Sequence, residues 1–318
     1  MNHWLLRLLG LLLMASALAV ALSRAPDRPA ESLVARWAPS PSDFIEVKGQ
    51  VVHLRDEGPR GDPLPLVLLH GTSASLHTWD GWVAAIKPSR RVIRFDLPGF
   101  GLTGPFAGSY ARDDYRGDTY ARFVIDMLDA LRVPRAVIGG NSLGGEVAWR
   151  VATLAPARIE RLILVDATGY RFEPESVPLG FRIARVPVLN RLGEHLLPRA
   201  LVAASVAAVY GDPTRVTEAL VDRYFELTLR EGNRRALGLR MQQLDPGDDA
   251  VRLQSLAMPT LVLWGGRDRL IPPAIAARFA ADIRGARLVT FPDLGHVPQE
   301  EDPPRTVQPV LEFLEIKR

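Results

Sequence analysis

The feature that most constrains the fold is an alternation of short apolar segments with longer amphipathic ones, which begins at Phe44. The apolar segments are bounded by glycine and proline, a pattern typical of strands buried on both faces of a parallel sheet. The amphipathic segments between them have helical spacing, so the alternation predicts successive β-α-β units. The first segments are, in chain order, the hairpin "FIEVKGQVVHLRDEG", the strand "PLVLLH", the helix "HTWDGWVAAI", the strand "RVIRFD", the helix "DTYARFVIDMLDAL", the strand "RAVIGGN", the helix "LGGEVAWRVATLAP" and the strand "RLILVDA".

A long helical stretch interrupts this alternation after Thr168. From 169 to 256 the sequence is mostly helical in pattern, contains several prolines and shows no convincing strand. The alternation then resumes with "TLVLWGG", "PAIAARFAADI", "ARLVTF" and "PRTVQPVLEFLEI". We therefore predict an α/β core formed by residues 44–168 and 257–318, with a mostly parallel, doubly wound sheet and a helical cap inserted at 169–256.

Residues 1–25 are predicted to be a separate segment. The stretch from Trp4 to Leu22 is apolar apart from Arg7, and its length reaches the roughly 18–20 residues that cross a bilayer. The "AVA" at 19–21 would alternatively serve as a signal-peptide cleavage site. The prediction is a membrane anchor, followed by a linker at 26–43, with the bulk of the chain outside the cytoplasm. The alternative is secretion after signal cleavage, and an anchored homodimer stays open.

Composition excludes several classes of function. The net charge is only +3, and the basic residues are interleaved with acidic ones, so no basic stripe for nucleic acid is present. The absence of cysteine excludes disulfides, thiolate metal sites and a cysteine nucleophile. No cluster of metal-ligating residues has a credible spacing, so we expect neither a metal nor a cofactor.

Polar residues that follow the predicted strands are the candidates for a site, because parallel α/β sheets bind ligands outside the carboxyl ends of their strands. Ser142 follows "AVIG" closely, Asp268 follows "TLVLW", and His296 follows "LVTF". The loops after two earlier strands carry His70-Gly71-Thr72 and Asp96. A serine, an acid and a histidine are therefore expected at one edge of the sheet.

The segment "VIGGNSLGGEVA" at 137–148, which is followed by the acid and then the histidine, resembles the nucleophile elbow of the α/β-hydrolase superfamily. The resemblance covers nearly all of the chain after about residue 44. In such an elbow the chain turns tightly from strand to helix with a strained backbone. Gly140 and Gly144 would supply the two positions without bulk, and the Ser142 hydroxyl would be exposed above the sheet.

The resemblance implies a role for each residue of the site. Ser142 would be the nucleophile, and His296 would take its proton as general base and later return it to the leaving alcohol. Asp268 would hold the histidine tautomer and stabilise the imidazolium. The backbone amides of Leu143 and Thr72 would form the oxyanion hole.

Neighbouring residues have supporting roles in this family. His70 and Gly71 are expected to shape the oxyanion loop, and Asp96 is expected to organise the loop that it begins. Asp166, after "RLILV", is a rival for the acid, because some superfamily members carry the acid at that place. The segment "WGGRDRLIP" matches the commoner pattern and favours Asp268, with Asp166 ordering a loop.

The residue at the elbow separates classes within the superfamily. Epoxide hydrolases and haloalkane dehalogenases need a carboxylate where this chain has Ser142, so both are disfavoured. Ring-cleavage C–C hydrolases share the serine elbow but usually carry an aromatic residue after the histidine, where this chain has Val297. The leading prediction is a serine hydrolase of carboxylic esters, with a C–C hydrolase as the alternative. A non-enzymatic binding protein is disfavoured because candidates for all three catalytic residues are present.

The predicted anchor and cap suggest the kind of ester. The chain resembles bacterial inner-membrane-anchored carboxylesterases and phospholipases A1. The resemblance implies an inner-membrane anchor with the catalytic domain on the periplasmic side. It also implies a medium- or long-chain acyl ester, a phospholipid or a lysophospholipid as substrate. The cap segment mixes long apolar side chains with arginines. We expect the apolar side chains to cover the active site and the arginines to face solvent.

Overall fold

The computed structural model describes residues 3–244 and 247–316 of the chain. Its centre is an eight-stranded sheet with the order β1-β2-β4-β3-β5-β6-β7-β8. The first two strands are antiparallel to their neighbours and all later pairs are parallel. The strands are β1 (Ser42–Val47), β2 (Gln50–Glu57), β3 (Leu66–Leu69), β4 (Val92–Phe95), β5 (Ala136–Asn141), β6 (Ile159–Val165), β7 (Thr260–Gly265) and β8 (Arg287–Phe291).

The predicted hairpin is formed by β1 and β2. Lys48 and Gly49 connect the two strands and both have positive φ, 52° and 83°. Two positive φ values in a two-residue loop match the right-handed twist of an antiparallel pair. The hairpin prediction is therefore confirmed, and the hairpin extends the edge of the parallel sheet next to β4.

Helices cover both faces of the sheet. Strand residues alternate between two apolar clusters: Ile138 of β5 packs on one face and Val137 on the other. One face is covered by α4, α5 and α12, and the other by α3 and the C-terminal helices. The core helices are α3 (Asp80–Ile86), α4 (Gly117–Ala130), α5 (Leu143–Leu154), α12 (Ala274–Asp282), α13 (Pro298–Glu301), α14 (Pro303–Thr306) and α15 (Gln308–Phe313). The prediction of a mostly parallel α/β sheet is confirmed.

Between β6 and β7 the described residues form six α-helices, over the carboxyl ends of the strands. They form the cap, which contacts the core at several places: Arg240 binds Glu146, and Tyr224 binds Glu300. The cap helices are α6 (Leu179–Arg185), α7 (Pro187–Gly193), α8 (Arg199–Ala207), α9 (Glu218–Thr228), α10 (Asn233–Gln242) and α11 (Ala250–Gln254).

The N-terminal part contains helices α1 (His3–Ser23) and α2 (Glu31–Trp37). Crossing a membrane takes about 20 predominantly apolar residues, and α1 includes His3, Arg7 and Ser16 among its 21. Within 3–244 and 247–316, no helix has the length and apolar character needed to cross a membrane. The predictions of an N-terminal membrane helix, of membrane contact through it, and of an anchored protein with a periplasmic catalytic domain are therefore wrong.

The segment after α1 lies against the cap. The backbone amide of Ala25 donates to His195 O at 3.0 Å, and that of Arg28 donates to Leu229 O at 2.7 Å. Asp27 binds Arg234 of α10. The first residues of the segment predicted as a linker at 26–43 therefore pack against the cap, and the same segment contains α2 and the start of β1.

Candidate active site

Ser142 occupies the turn from β5 into α5. Its φ is +56° and its ψ is −116°, a conformation that costs energy in a residue with a side chain. Its amide donates to Val165 O at 3.0 Å, which ties the turn to the neighbouring strand. The backbone of this turn is therefore held by the sheet in a conformation that the serine would not adopt alone.

Gly140 and Gly144 are required by close backbone approach. A Cβ on Gly140 would lie 2.1 Å from the carbonyl oxygen of Gly144, and a Cβ on Gly144 would lie 2.1 Å from that of Leu69. Backbone atoms cannot move away as a flexible side chain could. The two glycines let the start of α5 pack directly on strands β3 and β5.

His296 and Asp268 are in direct hydrogen-bond contact. His296 Nδ1 is 2.7 Å from Asp268 Oδ2, and both side chains are buried. Asp268 Oδ1 accepts from the amides of Leu270 and Ile271 at 2.8 and 2.9 Å. An ionised carboxylate can only accept hydrogen bonds. Asp268 therefore favours the tautomer of His296 with the proton on Nδ1, which leaves Nε2 as a base.

The loop that carries His296 is held by residues that the sequence patterns do not reveal. Asn141 Nδ2 donates to His296 O at 2.9 Å, and Glu301 Oε2 accepts from the Gly295 amide at 2.8 Å. Glu301 also accepts from the Gly211 amide of the cap at 3.0 Å. The only available signals were the adjacency of Asn141 to Ser142 and of Glu301 to the histidine loop, and neither predicts a contact.

Thr72 and Leu143 line the pocket beside Ser142. Neither amide donates to another atom of the described residues, so both are available to a ligand. A Cβ on Gly71 would lie 3.2 Å from Ser142 Cβ, so this loop passes close to the serine. The arrangement has the donors that an oxyanion hole requires, and that role stays a prediction.

His70 connects the oxyanion loop to the next loop. Its Nδ1 donates to Gly71 O at 2.7 Å, and its Nε2 accepts from the Leu97 amide at 2.9 Å. Burial lowers the pKa of His70, which keeps the ring neutral and able to accept. The ring thus fixes the separation of the two loops.

Asp96 lies in a buried network away from the serine. It accepts from the amides of Leu76 and Leu102 at 2.7 and 2.8 Å and contacts His53 Nδ1 at 2.7 Å. His53, which no motif singled out, also contacts Ser42 Oγ at 2.9 Å through Nε2. These contacts hold the loops after β3 and β4 against the hairpin.

Asp166, the rival acid, lies at the end of β6 next to Asp268. Its Oδ1 accepts from the Gly265 amide at 2.9 Å, and its carboxyl is fully buried. Ligand-type atoms of Asp166, Asp268 and His296 all lie within 4.8 Å of one another. The imidazole nevertheless pairs with Asp268, and the 2.7 Å contact between them is that of a direct hydrogen bond.

A pocket of about 970 Å³ opens above Ser142 and His296. Its size is at the upper end of the range for small-molecule sites, roughly 300–1,000 Å³. The cap contributes most of its lining, and that lining is largely aliphatic. Apolar residues on it include Ile183, Leu196, Leu197, Leu201, Val206 and Leu237.

The buried cations of the pocket are already paired. Arg240 Nη2 donates to Glu146 Oε2 at 2.6 Å, and Arg234 Nη2 donates to Asp27 Oδ1 at 2.5 Å. Two further arginines on the lining belong to the exposed face of α6 at the pocket mouth. Among the described residues, the deep part of the pocket therefore offers a substrate no uncompensated positive side chain.

Comparisons with a family model and with individual proteins point to the same family. Residues 65–303 match the family described as having the alpha/beta hydrolase fold. A 2-hydroxy-6-oxononadienedioate/2-hydroxy-6-oxononatrienedioate hydrolase from Burkholderia vietnamiensis is 30% identical over 297 residues, which cover 89% of this chain and 96% of that protein.

Solved structures of two kinds of hydrolase are also similar. A meta-cleavage product hydrolase from Pseudomonas fluorescens has a TM-score of 0.74 and 25% identity, and the match covers 86% of this chain and 97% of that one. A thermophilic esterase from Thermogutta terrifontis has a TM-score of 0.69 and 25% identity, with 87% and 98% covered. The similarity therefore extends over the core and the cap together.

Proposed function

Because this chain belongs to the α/β-hydrolase family, we propose that it is a serine hydrolase that cleaves carboxylic esters with an apolar acyl chain. The reaction would pass through an acyl-enzyme on Ser142. A serine hydroxyl is a weak nucleophile at neutral pH, so His296 Nε2 takes its proton as the oxygen attacks the ester carbonyl. The same nitrogen then returns the proton to the departing alcohol, and water repeats the sequence to release the acid.

Two charges develop during these steps, on the imidazolium of His296 and on the oxyanion, and each has a partner. Asp268 Oδ2 accepts a hydrogen bond from His296 Nδ1 at 2.7 Å and stabilises the imidazolium. The amides of Thr72 and Leu143 receive the oxyanion. Losing one donor of this kind typically costs about 3–4 kcal/mol of transition-state stabilisation.

The observation that carries the choice of an apolar ester is the lining of the pocket. Aliphatic side chains of the cap surround the space above Ser142, and the buried cations Arg234 and Arg240 already bind Asp27 and Glu146. An acyl chain gains free energy from such a lining at about 25 cal/mol per Å² of buried apolar area. A free carboxylate entering the same space would lose its water without gaining a cation.

The similar proteins favour a second candidate, hydrolysis of a C–C bond. The Burkholderia relative acts, by its name, on dioates, which carry two carboxylates, and the Pseudomonas structure is a meta-cleavage product hydrolase. Two features speak against this reaction here: the paired arginines leave no buried cation for a dicarboxylate, and Val297 follows the histidine.

The test is turnover by the intact chain of nitrophenyl esters from acetyl to palmitoyl, of a phospholipid and a lysophospholipid, and of a ring-cleavage dienoate. We expect hydrolysis of the esters, higher kcat/KM for octanoyl than for acetyl, and loss of at least about 1,000-fold in Ser142→Ala. Turnover of the dienoate without any ester would support the C–C hydrolase. Ester turnover that survives Ser142→Ala would contradict the proposed nucleophile.

A further inference from the structure

Two carboxyl groups, not one, are buried beside the imidazole of His296. Asp166 and Asp268 are 0% and 2% exposed, and the ligand-type atoms of the two acids and the histidine fall within 4.8 Å. The proposed ester hydrolysis assigns a role to Asp268 alone. Asp166 is therefore a buried titratable group next to the site with no part in the chemistry.

The hydrogen bonds of the two acids are unequal. Asp268 accepts three N–H groups, from Leu270, Ile271 and His296. Asp166 accepts one, from Gly265, on Oδ1. Its Oδ2 is buried, and no N–H or hydroxyl among the described residues donates to it.

This inequality decides where a proton is held. The two carboxyl groups have oxygens within 4.8 Å of each other and are buried, so ionising both is unfavourable. The proton goes to the group whose charge has fewer hydrogen-bond donors. Burial, and then the charge of Asp268, raise the pKa of Asp166 well above its usual value. A proton on Oδ2 gives the otherwise unpartnered oxygen a bond to make, and Asp268 is the acceptor beside it.

We propose that Asp166 is a neutral carboxylic acid whose Oδ2–H donates a hydrogen bond to Asp268 and so positions that carboxylate under His296. Asp166 is a positioning residue, since it acts on the histidine only through Asp268. The bond draws charge from Asp268, so Asp268 stabilises the imidazolium less than a carboxylate without this fourth donor would.

The backbone fits such a fixed donor. Asp166 has φ +45°, an unusual value for a residue with a side chain. Its amide donates to Leu263 O at 3.0 Å, which holds it between β6 and β7. A strained residue persists where the surrounding structure fixes it, and here both neighbouring strands do so.

The test compares Asp166→Asn with Asp166→Ala and Asp268→Asn in the intact chain. Asparagine can keep both bonds, because its amide oxygen accepts from Gly265 and its NH₂ donates to Asp268. We expect kcat/KM of Asp166→Asn to stay within about threefold, while Asp166→Ala loses about 10-fold or more, as for a hydrogen bond to a charged group. In Asp166→Ala the lower pKa of the pH profile of kcat/KM should rise.

Two outcomes would overturn the proposal. Loss of activity in Asp166→Asn as large as in Asp268→Asn would mean that Asp166 works as an anion. If the pH profile of kcat/KM in Asp166→Ala were identical to that of the parent, Asp166 would have only a structural role.

A substrate-free measurement separates this proposal from the proposed reaction. The infrared spectrum of the folded parent at neutral pH should contain the carbonyl band of a protonated carboxylic acid, and Asp166→Asn should lack it. This result does not depend on which bond the enzyme cleaves. Absence of the band in the folded parent would contradict a neutral Asp166 even if every ester assay succeeded.

Discussion

At the scale of single residues, backbone geometry leaves little freedom around the proposed nucleophile. Ser142 holds a positive φ, and the glycines two places before and after it lie in contact with backbone carbonyls. Their spacing in the sequence was enough to predict this turn, because only glycine fits such an approach.

Substitution of Gly144 by alanine should therefore disrupt the turn. The added Cβ would lie 2.1 Å from Leu69 O, so the helix must shift or the protein must unfold. We expect the free energy of unfolding to fall by about 3 kcal/mol or more, measured by urea denaturation, together with loss of hydrolase activity. Gly61→Ala is the matched control, since nothing lies within 4 Å of its added Cβ. Equal stability of the two variants would show that the turn is not tightly packed.

The proton on Asp166 also affects stability. Its pKa is raised in the folded protein, whereas the unfolded chain loses this proton near pH 4. Above about pH 4 the folded state therefore binds more protons than the unfolded state, and this group makes stability fall as pH rises. Asp166→Asn has no proton to lose, so its Tm at pH 7 should exceed that of the parent by a few degrees, and the difference should shrink toward pH 4.

The control for this experiment is Asp113→Asn. It removes an exposed carboxyl group that forms a long ion pair, 3.5 Å, with the exposed Arg235. Its Tm difference from the parent should stay near zero across the same range, as for most surface changes. If the Tm of the parent and that of Asp166→Asn changed with pH in parallel, Asp166 would have to be ionised in the folded protein.

At the scale of elements, the cap helices decide what fits above the serine. Helix α8 supplies Leu201 and Val206 to the pocket lining, and the loop after it supplies Val209, whose carbonyl accepts from the His296 amide at 2.8 Å. The same part of the cap therefore shapes the substrate space and holds the histidine loop.

A larger side chain in α8 should shorten the acyl chain that is accepted. Leu201→Trp fills part of the pocket, so kcat/KM for palmitoyl esters should fall about 10-fold or more relative to acetyl esters. Val251→Trp places the same side chain on α11 at a position that is 81% exposed and should not change the ratio. An unchanged ratio in Leu201→Trp would mean that the acyl chain does not lie along α8.

At the scale of the whole molecule, the segment before α2 is part of the folded body through Asp27. Its carboxylate binds Arg234, whose side chain is 4% exposed and lies on the pocket lining. The contact joins residues 207 positions apart in the chain.

Removing Asp27 should therefore destabilise the cap. Asp27→Ala leaves a buried guanidinium without its counter-ion, and since Asp27 is itself partly exposed we expect a loss of about 2 kcal/mol in the free energy of unfolding. Glu160→Ala breaks the exposed pair with Arg135 and should cost at most about 0.5 kcal/mol. Equal losses of unfolding free energy in the two variants would mean that water solvates the charge of Arg234 once Asp27 is removed.

The sequence by itself determined the parallel α/β core, the helical insertion and the positions of Ser142 and His296. Each of these follows from a local pattern, namely apolar periodicity, glycine spacing and the residue after a strand. The tertiary structure decided which acid contacts the imidazole, because Asp166 and Asp268 both follow buried strands and only the packing of the loops after β6 and β7 separates them. It also decided that the buried pocket arginines are paired and that the segment between α1 and α2 lies on the cap, since both depend on residues far apart in the chain. The apolar N-terminus shows the limit of a local pattern: its composition predicted a membrane span, but no helix in the described part of the chain has the length and apolar character to cross a membrane.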